Sequence, residues 1–174
     1  MQAKYCYRFP HPSVTSDCVV FAFDGKELFV LLIERGNEPY KGYWAFPGGF
    51  MEIDEPAENT AVRELKEETG LSISKIQQLQ AFSAVHRDPR ERVVSIIFYS
   101  LMKFKDRNVS GCDDATKAQW FKINNLPKLA FDHDKAFIMI KHRLKTKLQF
   151  EPEDTEYHED PFSSEEINKI ISIL

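Results

Sequence analysis

At 174 residues, with 43% apolar side chains and 14 Phe, the chain is long enough for one domain that buries roughly 70% of its unfolded surface without disulfide staples. A net charge of −4 argues against a broad basic face for nucleic acid, and no apolar run approaches the ~20 residues that span a bilayer. Cys6, Cys18 and Cys112 are odd in number and lack metal-type spacing, and the opening MQAKYCYRFPHPS has no apolar segment or cleavage-like site; a reduced, cytoplasmic protein with no membrane partner is expected.

Residues 14–23, VTSDCVVFAF, predict a strand, DGKE a turn, and LFVLLIER (28–35) its hairpin partner. A glycine- and aromatic-rich loop, GNEPYKGYWAFPGGF, follows. LQAFSAVH (79–86), VVSIIFYSLMKF (93–104) and KAQWFKI (117–123) predict further strands. The second of these is almost continuously apolar, as a strand covered on both faces would be. DHDKAFIMIKHRLKTKL (132–148) carries Phe137, Ile138, Ile140, Lys141 and Leu144 at helical spacing. Asp132 reads as its cap and His133 as a surface residue. After Phe150 the composition shifts to an acidic linker, EPEDTEYHEDP, and a short helix with a capping-box start, SSEEINKIISIL. The chain therefore divides into a domain over 1–150 and an appendage over 151–174 that should be dispensable. Strands interleaved with two long helices predict an α/β fold, a mixed sheet between helices.

The acidity is concentrated. Gly48 to Leu71, GGFMEIDEPAENTAVRELKEETGL, holds seven acidic residues and two basic ones, so the rest of the chain is slightly positive. Asp54 or Glu55 can cap a helix here, Pro56 suits its first turn and Gly70 the position past its end. Ala57, Ala61 and Leu65 form a narrow apolar line. Glu64, Glu67 and Glu68 share a face, because spacings of three and four bring side chains together. Like charges so placed cost ~0.2–0.5 kcal/mol per pair, and Glu67 and Glu68 also oppose the helix dipole. Arg63 can pair with Glu67 but cannot neutralise three carboxylates. A hard divalent cation, magnesium or manganese, suits such an all-oxygen set; the competing reading is a solvated glutamate face.

The wider pattern decides between them. Gly49, Glu55, Arg63, Glu64, Leu65, Glu67, Glu68, Gly70 and Leu71 match every specified position of the Nudix box over 23 residues. The chain resembles a Nudix hydrolase. That resemblance implies an α/β/α sandwich with a mixed central sheet, and hydrolysis of a pyrophosphate bond in a nucleoside diphosphate linked to another group. It implies Glu64, Glu67, Glu68 and the Gly48 carbonyl as metal ligands, Arg63 as the residue that orients a glutamate, and Glu55 as support for the loop–helix junction. Glu64 is the first candidate for the base that takes the proton of the attacking water, with Glu68 beside it in the catalytic set. Asp114 stands where some members carry an extra acidic ligand, although GCDDAT is equally an Asx turn.

On the substrate side, Arg35 ends a predicted strand, and HRDPRERVVS places Arg87, Arg90 and Arg92 on one loop. Guanidinium groups suit bidentate phosphate recognition. Trp44 and Phe46 could stack on a base or simply pack the loop. The GGF opening, RDPR and LPKLAFDH resemble the ADP-ribose pyrophosphatase branch, implying a small nucleotide substrate. A rival class is the ADP-ribose-sensing Nudix-like regulator, which binds without turnover and carries a winged helix. Such regulators commonly have a degraded box, this box is complete, and a winged helix would need ~50–60 further residues. The aromatic segment YCYRFPHP either packs on a neighbour, giving a homodimer, or covers the site.

Overall fold

The computed structural model describes residues 7–105, 109, 115–153 and 158–174. In chain order the elements are β1 (Ser13–Phe23), β2 (Leu28–Arg35), β3 (Trp44–Ala45), β4 (Gly48–Phe50), α1 (Ala57–Thr69), β5 (Gln77–Phe82), β6 (Val93–Lys103), β7 (Ala115–Lys122), α2 (His133–Phe150) and α3 (Ser164–Ile173). The sheet runs β3-β2-β1-β6-β5, with β4 added to β1 and β7 to β2. β1 and β6 are parallel and the other pairs antiparallel, so the sheet is mixed, as expected.

Period-2 alternation along β1 builds two cores. Cys18, Val20 and Ala22 pack with Ala61 and Leu65 of α1 on one face. Val19, Phe21 and Phe23 pack with Phe137, Ile140, Leu144 and Leu148 of α2 on the other. The result is an α/β/α sandwich. Of the residues read at helical spacing in α2, Ile138 is solvent-exposed. Its position, one after Phe137, rotates it away from the Phe137–Ile140–Leu144 stripe. The Cys18 thiol is free and fully buried; burial, with Asp17 adding to it, pushes its pKa far up. Among the described residues no helix is long and apolar enough to cross a membrane.

The strand pairing opens a gap in the sheet. The last three residues of β1 pair with β2, whereas Thr15–Asp17 pair with Phe50–Gly48 of β4. At the parting, Cys18 N–H donates to the Pro47 carbonyl at 2.8 Å. The β3–β4 segment thus enters between β1 and the end of β2, and the candidate site lies there. Both of its strands are too short to show a period in the sequence. β5 begins two residues before the predicted strand and ends at Phe82.

The tail differs from its expected role. β5 starts opposite Tyr99 of β6, leaving Leu101 beyond its end. His158 fills that place in a parallel bridge with Leu101, and Glu159 N–H donates to the Leu101 carbonyl at 2.9 Å. Asp160 accepts from Lys103 N–H at 2.8 Å. The capping box at Ser163 and Glu166 forms as predicted, and Ile167 and Ile170 of α3 join the core beneath α2. Of the stretch that reads as linker, His158 to Asp160 cover a sheet edge, and the helix after it packs into the core.

Candidate active site

α1 begins at Ala57, with Pro56 at the capping position and no side-chain cap. Neither Asp54 nor Glu55 caps it. Glu55 works sideways instead, accepting from Glu52 N–H at 3.0 Å and from the Thr60 hydroxyl at 2.9 Å. Arg63 then binds Glu55 through Nη2 at 2.6 Å and Nε at 3.2 Å. Hydrogen bonds from Arg63 pull the Glu55 carboxyl down to about 2. The other terminal nitrogen of Arg63 donates to Glu64 at 2.7 Å and to Glu67 at 3.0 Å. One guanidinium thus ties three carboxylates and the loop before the helix together. Gly70 ends the helix with φ of +72° and open space at its absent side chain, the conformation for which glycine is suited.

The three box glutamates share a helix face but not an environment. Glu67 is 45% exposed, while Glu68 is 8% exposed and turned under β4. There the Gly48 N–H donates to its Oε2 at 2.9 Å. Burial first, then repulsion from Glu64 and Asp17, pushes Glu68 up to about 8 against the pull of that bond. Burial also raises Glu64, with Arg63 pulling the other way. The glycine pair makes the approach possible. A side chain on Gly48 would overlap Asp17, and one on Gly49 would overlap the Glu64 carboxylate.

These groups border a cavity of about 720 Å³ whose walls include Arg35, Gly48, Arg63, Glu64, Glu67, Glu68, Arg87 and Arg90. Those eight sequence candidates come together. Trp44 does not line it; its ring meets Phe121 edge-on at 4.6 Å and packs against the core. Phe46 lines the cavity but lies flat on His133 at 4.8 Å. Asp114 lies outside the described residues.

The arginines differ in what they leave available. Arg87 is spent on Asp132 in a two-point pair of 2.6 and 3.1 Å, which is what Asp132 does in place of capping. Arg90 forks onto Asp88 at 2.7 and 3.0 Å, while its plane faces Phe50 and Phe131 at 5.2 and 5.6 Å. Asp88 is held below the usual carboxylate range; burial would raise it, but the Arg90 bonds outweigh that. Arg35 donates only Nε, to the Pro39 carbonyl at 2.9 Å. Its terminal nitrogens have no hydrogen-bond partner among the described residues. Burial and then Arg90 lower its pKa, against the opposite pull of Glu68, Asp88 and Asp17.

Asp17, Asp88, Phe131 and His133 are wall residues that the sequence did not single out as site residues. Asp17 sits in the middle of an apolar strand, accepts from the Ser95 hydroxyl and is 8% exposed. A lone acid in VTSDCVVFAF was the signal. Asp88 was hidden among the loop charges. Phe131 has a positive φ of 53°, uncommon for a bulky residue, and Arg35 and Arg90 both stack on it. His133, expected at the surface, is 3% exposed.

The donor chemistry fits a hard cation: oxygen ligands, a buried carboxylate without a cationic hydrogen-bond partner, and no sulfur. As placed, no three His, Cys, Asp or Glu side chains among the described residues converge on one ion, and Glu64 and Glu67 are engaged by Arg63.

Residues 11–140 match the family model described as NUDIX domain. The chain belongs to the Nudix family. This Nudix chain is 46% identical over 126 residues to the ADP-ribose pyrophosphatase of Methanocaldococcus jannaschii, covering 72% of this chain and 70% of that protein. It is 32% identical to the ADPR responsive transcriptional repressor NtrR of Acinetobacter baylyi, covering 82% of this chain and 58% of the repressor. The NUDIX domain of Shewanella oneidensis NrtR, solved in complex with ADP ribose, superposes with a TM-score of 0.74 at 30% identity, covering 81% and 94% of the two chains.

Proposed function

We propose that this Nudix hydrolase cleaves the pyrophosphate bond of ADP-ribose, adding water to give AMP and ribose 5-phosphate, with magnesium or manganese as its cation. The observation that carries the reading is one cavity that brings both kinds of charge together. The Arg35 guanidinium, its terminal nitrogens uncommitted, lines it with the buried carboxylates of Glu68 and Asp17 and the half-buried Glu64. A diphosphate with its cation needs both. The 46% identity to an ADP-ribose pyrophosphatase supports the substrate.

Glu64, Glu67, Glu68 and the Gly48 carbonyl would hold the cation, which when bound neutralises diphosphate charge and makes a bound water more acidic. The chain's own residues do the rest. Arg35 grips phosphoryl oxygens in a planar fork. Arg90, backed by Asp88 and the Phe131 face, adds positive field. Arg87 acts indirectly, by clamping Asp132 and the start of α2. Glu64 accepts the water's proton. Arg63 keeps Glu64 oriented.

The partner is a small nucleotide, with no nucleic acid expected. Exposed Tyr7 and Phe9 beside exposed Phe50, Met51 and Ile53 suit a homodimer at the cavity rim. Similarity to the repressor favours a second reading, ADP-ribose sensing without turnover. A turnover screen separates the two. With magnesium, ADP-ribose should outrun NADH, nucleotide sugars, diadenosine polyphosphates and nucleoside triphosphates. Faster triphosphate hydrolysis would overturn the substrate, and binding of ADP-ribose without turnover would favour the sensor.

A further inference from the structure

The buried imidazole of His133 has no part in the chemistry above. It is the first residue of α2, is 3% exposed, and still forms part of the cavity wall. Phe46 N–H donates to its Nδ1 at 3.1 Å. A nitrogen that accepts carries no proton, so the proton of the neutral ring sits on Nε2. Burial lowers the ring's pKa, outweighing the opposite pull of Asp17, and the ring is neutral near pH 7. Phe46 lies against its face at an interplanar angle of 9°, which fixes the plane in which Nε2–H points.

Among the described residues the bond to Nδ1 is the only hydrogen bond this ring makes. Nε2 is also not one of the polar atoms both unpaired and sealed from solvent. The opening it can reach is the cavity. A hydrogen-bond donor held this rigidly at a cavity wall is set to donate to whatever fills the cavity, water or ligand. Arg35, Asp17, Glu68 and Arg87 line the same cavity as His133. A diphosphate held there between Arg35 and the carboxylates would share the cavity with the ring. A neutral donor at that point can bond a phosphoryl oxygen without competing with the cation for the glutamates.

We propose that His133 is a substrate-binding residue whose Nε2–H donates to a phosphoryl oxygen of the bound diphosphate. This rests on the diphosphate reading of the cavity. The alternative is a strut, with the ring serving only to hold the Phe46 amide.

Two substitutions separate these roles. His133→Asn places an amide oxygen near Nδ1, keeping an acceptor for Phe46, but falls short of the cavity. His133→Gln reaches the position of Nε2 with an amide N–H and gives up the acceptor at Nδ1. The probe is a methylene-bridged, non-hydrolysable ADP-ribose analogue titrated with magnesium, with melting curves for all three proteins. The proposal expects His133→Asn to fold yet bind the analogue about ten- to a hundredfold more weakly, the scale of one hydrogen bond to a charged group, with His133→Gln recovering most of the affinity. A strut predicts the reverse order, and that result would overturn the proposal. Should the variants not fold, ¹⁵N spectra of wild-type histidines decide. The His133 Nε2 resonance should shift, and its proton should become protected from exchange, when the analogue binds. Binding with no change at Nε2 overturns this proposal alone, whereas no binding of the analogue by the wild type overturns the diphosphate reading and this proposal with it.

Discussion

The amide of Gly48 donates to Glu68 Oε2 at 2.9 Å, and that one hydrogen bond is set against burial and two neighbouring carboxylates. The position of Glu68 under β4 makes its charge a cost in the metal-free protein. Its carboxyl titrates near 8 when folded, against ~4.3 in an unfolded chain. Between those values the folded state keeps a proton that the unfolded state has lost. The group's stabilising contribution is therefore full below the unfolded pKa and drains away as pH rises to about 8. Glu68→Gln should remove that drain. Without metal it should match wild type near pH 4 and exceed it by up to about 5 kcal/mol at pH 8, at ~1.4 kcal/mol per pH unit between ~4.3 and about 8. Magnesium should stabilise wild type by roughly 2.7 kcal/mol at a hundredfold excess over Kd, and the variant by much less. Parallel pH–stability curves would contradict the buried-charge account.

Arg63 sets the acid limb. Its hydrogen bonds hold the Glu55 carboxyl at about 2, so the stability this pair contributes is present above the unfolded pKa and lost as pH falls toward 2. Arg63→Gln should flatten acid denaturation over that window. It should also lower kcat by one to two orders of magnitude (~1.4 kcal/mol per tenfold) by freeing Glu64, with KM little changed. An unaltered acid transition would show that the Glu55 pair carries no stability.

Arg35→Lys keeps the charge and loses the fork. If the uncommitted nitrogens of Arg35 bind phosphoryl oxygens, KM for ADP-ribose should rise about tenfold, equivalent to ~1.4 kcal/mol, with a smaller fall in kcat. Trp44→Phe, away from the cavity, should leave KM unchanged. Steady-state kinetics on both variants check the contrast.

Truncation after Phe150 should now be damaging. Removing Ile167 and Ile170 from beneath α2 forfeits about 3–6 kcal/mol at ~1.5–3 kcal/mol per buried side chain, and it bares the β6 edge at Leu101. Urea unfolding of the truncated chain should show a midpoint well below that of the full chain. Equal midpoints would restore the reading of residues 151–174 as an appendage.

The long strands, both long helices and the box were legible because each is periodic or chemically specified at fixed spacing. β3 and β4 were not, being two and three residues long. The tail was misread because an acidic composition looks solvated until one sees that His158 to Asp160 bond the backbone of β6. The arginines were found by type, but sequence could not show that Asp88 and Asp132 occupy two of them. His133 was missed for a similar reason. Its burial depends on Phe46, 87 positions away, and no local pattern reports a contact at that separation.

The most direct test is product analysis on ADP-ribose with magnesium, for wild type and Glu64→Gln together. The account predicts AMP and ribose 5-phosphate in equal amounts from wild type, no turnover with excess chelator, and a loss of about a hundredfold or more in kcat for the variant, consistent with removal of a general base. Full activity in Glu64→Gln, or cleavage that survives the chelator, would contradict it.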